Sequence, residues 1–233
     1  MSEPNNDRIG AQHSFVPPLL EQLRAGTREA HDRIEAIPGL GILLAPGLSA
    51  GAYIAALKAL YAFQSGMHKR LPKLLDGVAC LNWPDADVLR ALEDDLVWFG
   101  VALPRPAAPP RSINDSCTAL GALYLLEGSQ LGGRVIGKSV VKSLSVSPGR
   151  GGSFFCGRTA DNARQRWQEF CTVLAQEGAR LDASGCARVV SGASASFAFL
   201  EAMLGGSAPQ AGAAPNGLPK PAPQPGDAAR SVN

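Results

Sequence analysis

The stretch Ala119–Val141, ALGALYLLEGSQLGGRVIGKSVV, decides the fold class. Its apolar residues recur at helical spacing, yet Gly121, Gly128, Gly132 and Gly133 fall inside it. Each glycine costs a helix about 1 kcal/mol relative to alanine, and several such costs are a large fraction of a domain's net stability. Gly121, Gly128 and Gly132 stand seven and four residues apart, so they share one face, with Tyr124 and Leu125 between them. A face without β-carbons admits close approach by another body. Three partners satisfy that requirement: a second helix packed small residue to small residue, a planar ligand, or a local kink at the Gly-Ser and Gly-Gly pairs. The kink and the ligand are compatible with each other.

Outward from this segment the helical period continues. Leu19, Leu23, Ala30, Ile34 and Ile37 form one stripe, and Tyr53, Leu57, Leu60, Met67, Leu71 and Leu74 form a second. Asp85, after Pro84, is placed to cap a third helix carrying Val88, Leu92, Leu96 and Phe99, closed by Gly100. VALPRPAAPPRS reads as a connector. The central helix is expected from about Asp115 to Leu144, followed by a Gly/Ser loop, SVSPGRGGSFFCG. Two further helices carry Trp167, Phe170 and Leu174, then Phe197, Leu200 and Leu204. Strand-like alternation is scarce, so the chain reads as an all-α, single-domain multi-helix bundle. Residues 19–204 are expected to form the domain, 1–18 a flexible leader, and 205–233 a disordered Gly/Ala/Pro tail with almost nothing large to bury.

Composition narrows the function. With 233 residues, 45% of them hydrophobic, the chain suits one ordinary domain. A net charge of +2 and the lack of a basic stripe argue against nucleic acid. No apolar run is expected to span a membrane; the longest, 119–137, is interrupted by Glu127 and Arg134. The first 18 residues lack the basic-then-apolar order of a secretory signal, so a cytoplasmic location is expected. Cys80, Cys117, Cys156, Cys171 and Cys186 form no Cys-x-x-Cys pair and read as reduced thiols rather than zinc ligands or a disulfide framework.

Of the three histidines, His13 lies in the leader and His68 is expected on the polar, exposed shoulder of the second helix. His31 stands one position round from the first apolar stripe. Alone it reads as a solvated or satisfied core residue more readily than as a ligand. Glu35, one turn on, is near enough to orient an imidazole, and Arg24 and Arg28 lie upstream on the same helix. An imidazole on one helix and a glycine face on another would sandwich a flat macrocycle.

These residues resemble a known family. L-R-x-x-T-x-x-x-H-x-x-x-E, Leu23 to Glu35, is similar to the proximal helix of heme oxygenases. Y-L-L-E-G-S-x-L-G-G, Tyr124 to Gly133, resembles their distal helix as found in bacterial, biliverdin-producing members. L-x-x-D-L-x-x-F-G (Leu92 to Gly100), F-F-x-G (Phe154 to Gly157) and W-x-x-F (Trp167 to Phe170) complete the match, in order, over nearly the whole domain. The resemblance implies that His31 is the axial ligand of the iron and that Glu35 hydrogen-bonds it, keeping it a neutral donor. It places Gly128 and Gly132 over the ring with Gly133 beside them, and Tyr124 on the distal wall. Arg24 matches a basic position near the haem propionates, and Lys138 and Arg164 are further candidates for that role. Ser129 stands where vertebrate members carry a distal aspartate, as in bacterial relatives, whose protons pass through ordered water and backbone groups. Glu127 projects about a hundred degrees from Gly128 and is no substitute.

The implied activity is oxidative haem catabolism. Heme b is cofactor and substrate together, and O2 and external electrons convert it to biliverdin, carbon monoxide and ferrous iron. The chain carries no flavin or iron–sulfur motif, so a separate reductant such as a ferredoxin or a flavin reductase is implied, with a bacterial phytochrome as a recipient of biliverdin. The rival readings are a haem-binding storage or sensing protein of the same fold, and a haem-free helical protein. A di-iron centre would need E-x-x-H pairs, which the sequence lacks.

Overall fold

The computed structural model describes residues 18–78 and 86–206. The expectations for the leader up to residue 17, Cys80, the Asp85 cap and the tail from 207 lie outside the described residues. Eight α-helices occur among those described, with no strand: α1 (Leu19–Ala36), α2 (Pro38–Gly41), α3 (Ala50–Arg70), α4 (Ala86–Trp98), α5 (Ser116–Leu144), α6 (Ser153–Cys156), α7 (Arg158–Gly178) and α8 (Ala183–Gly205). The all-α expectation holds. Two elements were not foreseen: the one-turn helix α2 with the 3-10 turn after it, and α6, which interrupts the expected Gly/Ser loop.

Start signals are local. Ser49 caps α3 by accepting from Ala52 N–H at 3.2 Å, and Asp182 caps α8 by accepting from Gly185 N–H at 2.7 Å. At α5 the cap is reciprocal: Asp115 accepts from Thr118 N–H at 2.8 Å while the Thr118 hydroxyl accepts from Asp115 N–H at 3.1 Å. The α4 helix ends where Gly100 takes φ +67°, the left-handed conformation that glycine tolerates. The proline-rich connector is tied down over α3. Ala107 N–H donates to the Ala62 carbonyl at 2.9 Å, Gly66 makes room for the Ala107 carbonyl, and the Arg70 guanidinium donates to the Ile113 carbonyl at 3.0 and 3.1 Å.

The central helix is divided along its length. From Cys117 to Leu126 nearly every residue is buried, against α7 and α8; beyond Gln130 only Gly137, Val140 and Leu144 are. At the buried end Gly121 lies under the Val189 carbonyl and Ala193 N–H of α8, and Gly192 of α8 lies against the Thr118 backbone. For Gly121, therefore, the flat partner is another helix. Gly132 has nothing within 4 Å of where a β-carbon would stand.

The α8 helix corrects one expectation. It is long and apolar enough to cross a membrane by length and composition, with a mean hydropathy of 1.2. Here it packs Val189, Ala193, Phe197 and Leu200 into the core against α1, α3 and α5.

Asp95 on α4 is fully buried and joins two distant segments. Its carboxylate accepts from Ser153 N–H at 2.6 Å and Phe154 N–H at 2.9 Å. Burial pushes its pKa from 3.8 to about 6, although the two N–H groups pull the other way. Between those values the folded chain holds a proton that the unfolded chain has released, so this group's contribution to stability falls as pH rises through that window.

Two outcomes are expected. Gly121→Ala destabilises by about 1–3 kcal/mol through overpacking, whereas Gly132→Ala gains up to about 1 kcal/mol from helix propensity; urea midpoints at constant m-value read both. Asp95→Asn removes a fall in stability between pH 4 and 6, visible as a flatter Tm profile over that range.

Candidate active site

A cavity of about 320 Å³ opens between α1 and the C-terminal half of α5. That volume lies in the range of small-molecule and cofactor sites. One side is formed by His31, Ile34 and Glu35 of α1; the facing side is formed by Tyr124, Gly128, Ser129, Gly132 and Gly133 of α5. Leu60 and Phe63 of α3, Phe154 and Phe155 of α6, Trp167 of α7 and Phe197 of α8 supply apolar walls. The imidazole and the β-carbon-free face thus border one space.

The ring of His31 is held from both sides. Its Nδ1 lies 3.5 Å from Glu35 Oε1, and its centroid lies 6.1 Å from that of Phe197. With Nδ1 turned to the carboxylate, Nε2 is the nitrogen left to bind a metal. Both side chains are more than half exposed, 58% for His31 and 67% for Glu35, so this edge of the cavity meets solvent.

On the opposite side Gly128 abuts Trp167, whose ring would be 3.4 Å from a β-carbon there, and Gly133 rests against Phe155. Tyr124 packs its ring 5.7 Å from that of Trp167. The Ser129 hydroxyl donates to the Leu126 carbonyl at 2.9 Å, so its proton is turned into its own helix. Three of the basic candidates stand elsewhere. Arg24, Lys138 and Arg164 are exposed and line no part of the cavity; Arg24 reaches toward Cys171 of α7, where its charge opposes the upward push of burial on that thiol. Seven residues separate Arg24 from His31, about 10 Å of helix rise, which carries it past the cavity.

Sequence reasoning missed two buried glutamines. Gln64 and Gln130 reach the cavity from α3 and α5, and both also line a second, smaller cavity of about 10 Å³, close to the least space that holds a water molecule. His68, Glu127 and Arg166 close that second space. His68 is half-buried here, which corrects the expectation of an exposed shoulder residue. Its position four residues after Gln64 was the available signal, because i and i+4 share a helix face. Glu127 is buried and accepts from Arg166 Nε at 3.1 Å and Nη2 at 2.5 Å, a two-pronged pair directed away from the main cavity. Phe154, Phe155 and Trp167 lie in motifs the sequence displayed, but their part in the site depends on a fold-back that periodicity does not reveal.

The family model for heme oxygenase matches residues 17–205. The chain belongs to the heme oxygenase family. It is 30% identical over 162 residues, 69% of this chain and 93% of the relative, to a heme oxygenase of Xanthomonas campestris pv. campestris (strain 8004). Its fold is similar to that of the NO- and CO-bound heme oxygenase of Neisseria meningitidis, with TM-score 0.65 and 23% identity over 88% of this chain and all of that one. It also resembles the heme oxygenase of Leptospira interrogans, with TM-score 0.64 and 20% identity over 81% of this chain and 99% of that one. Family membership makes the chain a haem-degrading enzyme.

The buried pair beneath the active site makes a prediction. Arg166→Met removes both guanidinium hydrogen bonds to the buried Glu127 carboxylate, and is expected to cost about 3 kcal/mol of stability. Replacing both residues by methionine should restore most of that loss in urea unfolding, with the difference from additivity giving the coupling.

Proposed function

We propose that this cavity binds haem between His31 and the glycine face and that the enzyme opens the ring to biliverdin, carbon monoxide and ferrous iron. The observation that carries the reading is that His31, Gly128, Gly132 and Gly133, from helices far apart in sequence, border one apolar space. The residues suit the group. His31 offers a ring nitrogen for the iron, the aromatic walls suit a porphyrin, and the open room over Gly132 is what a side chain would fill. When bound, heme b supplies the redox chemistry with O2, and electrons come from outside, from a ferredoxin or a flavin reductase.

The chain's own residues orient and shield. Glu35 fixes the imidazole tautomer through Nδ1, and a neutral nitrogen donor gives iron less charge than a thiolate would. The glycine face lets α5 lie low over the ring, so its position directs attack to one edge. Gln64 and Gln130 are the buried polar side chains common to both cavities; their amides would hydrogen-bond water between the distal side and the space beside His68 and Glu127, and the water carries the proton. Ser129, already donating to its own helix, is a wall residue in this scheme. Lys138, Arg24 and Arg164 line none of the cavity. In a bacterial cell the biliverdin formed is available to a phytochrome, and the product iron to metabolism.

The domain we assign to this activity is 19–204. The test starts with haem titration: wild type should bind one haem with a histidine-ligated spectrum that His31→Ala loses. With a reductant in air, wild type should bleach the haem band and release biliverdin and carbon monoxide. Haem that binds but survives would favour storage or sensing. Gly132→Leu fills the space over the ring and should abolish ring opening or divert it to peroxidase chemistry; a normal biliverdin yield from that variant would overturn the assigned role of the glycine face.

A further inference from the structure

We propose that Asp95 is a positioning residue for ring opening: by holding the Phe154–Phe155 turn against α5, it fixes the height and rotation of the glycine face over the substrate. The inference rests on the reading of the main cavity as the haem site and adds to it a residue that never touches the cavity.

Four observations carry it. First, Asp95 on α4 satisfies the backbone N–H groups of Ser153 and Phe154 at 2.6 and 2.9 Å, one per carboxylate oxygen. Gly152, at the N-cap of α6, has no side chain to do so. Second, the turn so held presents Phe154 and Phe155 to the cavity. Third, the turn leans on α5 where α5 has no β-carbons: Gly133 meets the Phe155 ring, and Gly137 meets the Phe155 carbonyl so closely that a methyl group would not fit. Fourth, the loop before the turn is pinned by a second buried group, Tyr53, whose hydroxyl donates to the Gly151 carbonyl at 3.0 Å. Tyr53 also packs on the Phe99 and Phe155 rings.

The chain of contacts runs from Asp95 to the Phe154–Phe155 backbone and on to Gly133 and Gly137, one turn from Gly132. Its anchors are Asp95 and, at the loop before the turn, Tyr53. Beyond Gln130 most of α5 is exposed, so this half of the helix lacks the core packing that fixes its first half. A displacement of the turn is therefore transmitted to the glycine face rather than absorbed by neighbours. The carboxylate suits the task because both of its oxygens accept. Asn at 95 keeps the shape but offers one acceptor, and its NH2 group would face an N–H donor.

The experiment has two stages and needs no foreknowledge of substrate orientation. In the haem-free protein, hydrogen exchange followed by mass spectrometry compares wild type, Asp95→Asn and Tyr53→Phe. Faster exchange by tenfold or more is expected both in 150–157 and in 132–140 of α5; faster exchange confined to 150–157, or none, overturns the coupling. In the haem complex, wild type should give one set of haem-methyl NMR signals and one main biliverdin isomer. Asp95→Asn should give a second signal set and a mixed isomer product, while its histidine-ligated spectrum and haem affinity stay within about twofold of wild type. An Asp115→Ala control weakens the α5 cap and lowers Tm without touching the turn, so it separates positioning from general loss of stability. Unchanged isomer and signal patterns in Asp95→Asn sink the proposal. If wild type binds no haem, the reading of the cavity fails, and the exchange result still decides whether Asp95 governs α5. Should Asp95→Asn not fold, Tyr53→Phe, which loosens the same turn from its other side, must show the same two effects or the proposal falls.

Discussion

The structure depends on how closely two bodies can approach one surface of α5. At Gly121 the missing β-carbon lets α8 come in until backbone nearly meets backbone. Two turns beyond Tyr124, at Gly132, the same absence leaves a gap. A single helix therefore serves as a packing element at one end and a roof at the other. The glycine penalty is offset in two ways: by dispersion and burial along the α5–α8 contact, and by the space that the active site requires. Alanine throughout would make a better isolated helix and a worse protein.

The partition also settles where the polar groups go. Glu127 follows the glycine face by sequence, yet its side chain turns into the bundle and meets Arg166 of α7. Such a pair contributes little net stability, because desolvating two charges offsets their attraction. Its effect is one of placement. With Glu127 engaged below, no carboxylate from α5 lines the main cavity, and the polar side chains that do reach it from α3 and α5 are neutral: Gln64, Ser129 and Gln130. A site meant for a flat, largely apolar ring gains from that arrangement, since an ionised group facing the ring without a partner would be costly to desolvate.

Much of this was legible in the sequence, for identifiable reasons. Helices α1, α3, α5, α7 and α8 announce themselves through 3.6-residue stripes, and Asp115 and Gly100 mark ends that the structure keeps. That His31 and the distal glycines face each other followed from residue type and family resemblance together; spacing alone left helix, ligand and kink open. What was hidden is long-range. The α6 turn is four residues of aromatic and small side chains, too short for periodicity, and is set by a carboxylate from 58 residues upstream. Gln64 and His68 read as ordinary polar residues of α3, because their burial comes from α5 and α7 closing over them. Arg24 lies on α1 two turns before His31 and lines none of the cavity, a placement that charge and helix membership do not reveal.

A protein whose substrate supplies its own reactive centre controls the outcome by shape, and shape is only as definite as its least supported wall. The α8 and α3 walls of the cavity belong to the main core, where dense packing allows few alternatives. The α1 wall is a helix edge, but its His31 ring is placed by a carboxylate one turn away. The α6 wall has no long helix, although Phe154 and Phe155 reach into the main core. It stands on two buried hydrogen bonds to Asp95, one from Tyr53, and its lean on α5. Regiochemistry in this fold should therefore be most sensitive where the polypeptide is shortest and its anchoring most polar, and least sensitive where the walls are greasiest. A polar clasp is directional, and a direction is what four residues of chain cannot supply for themselves.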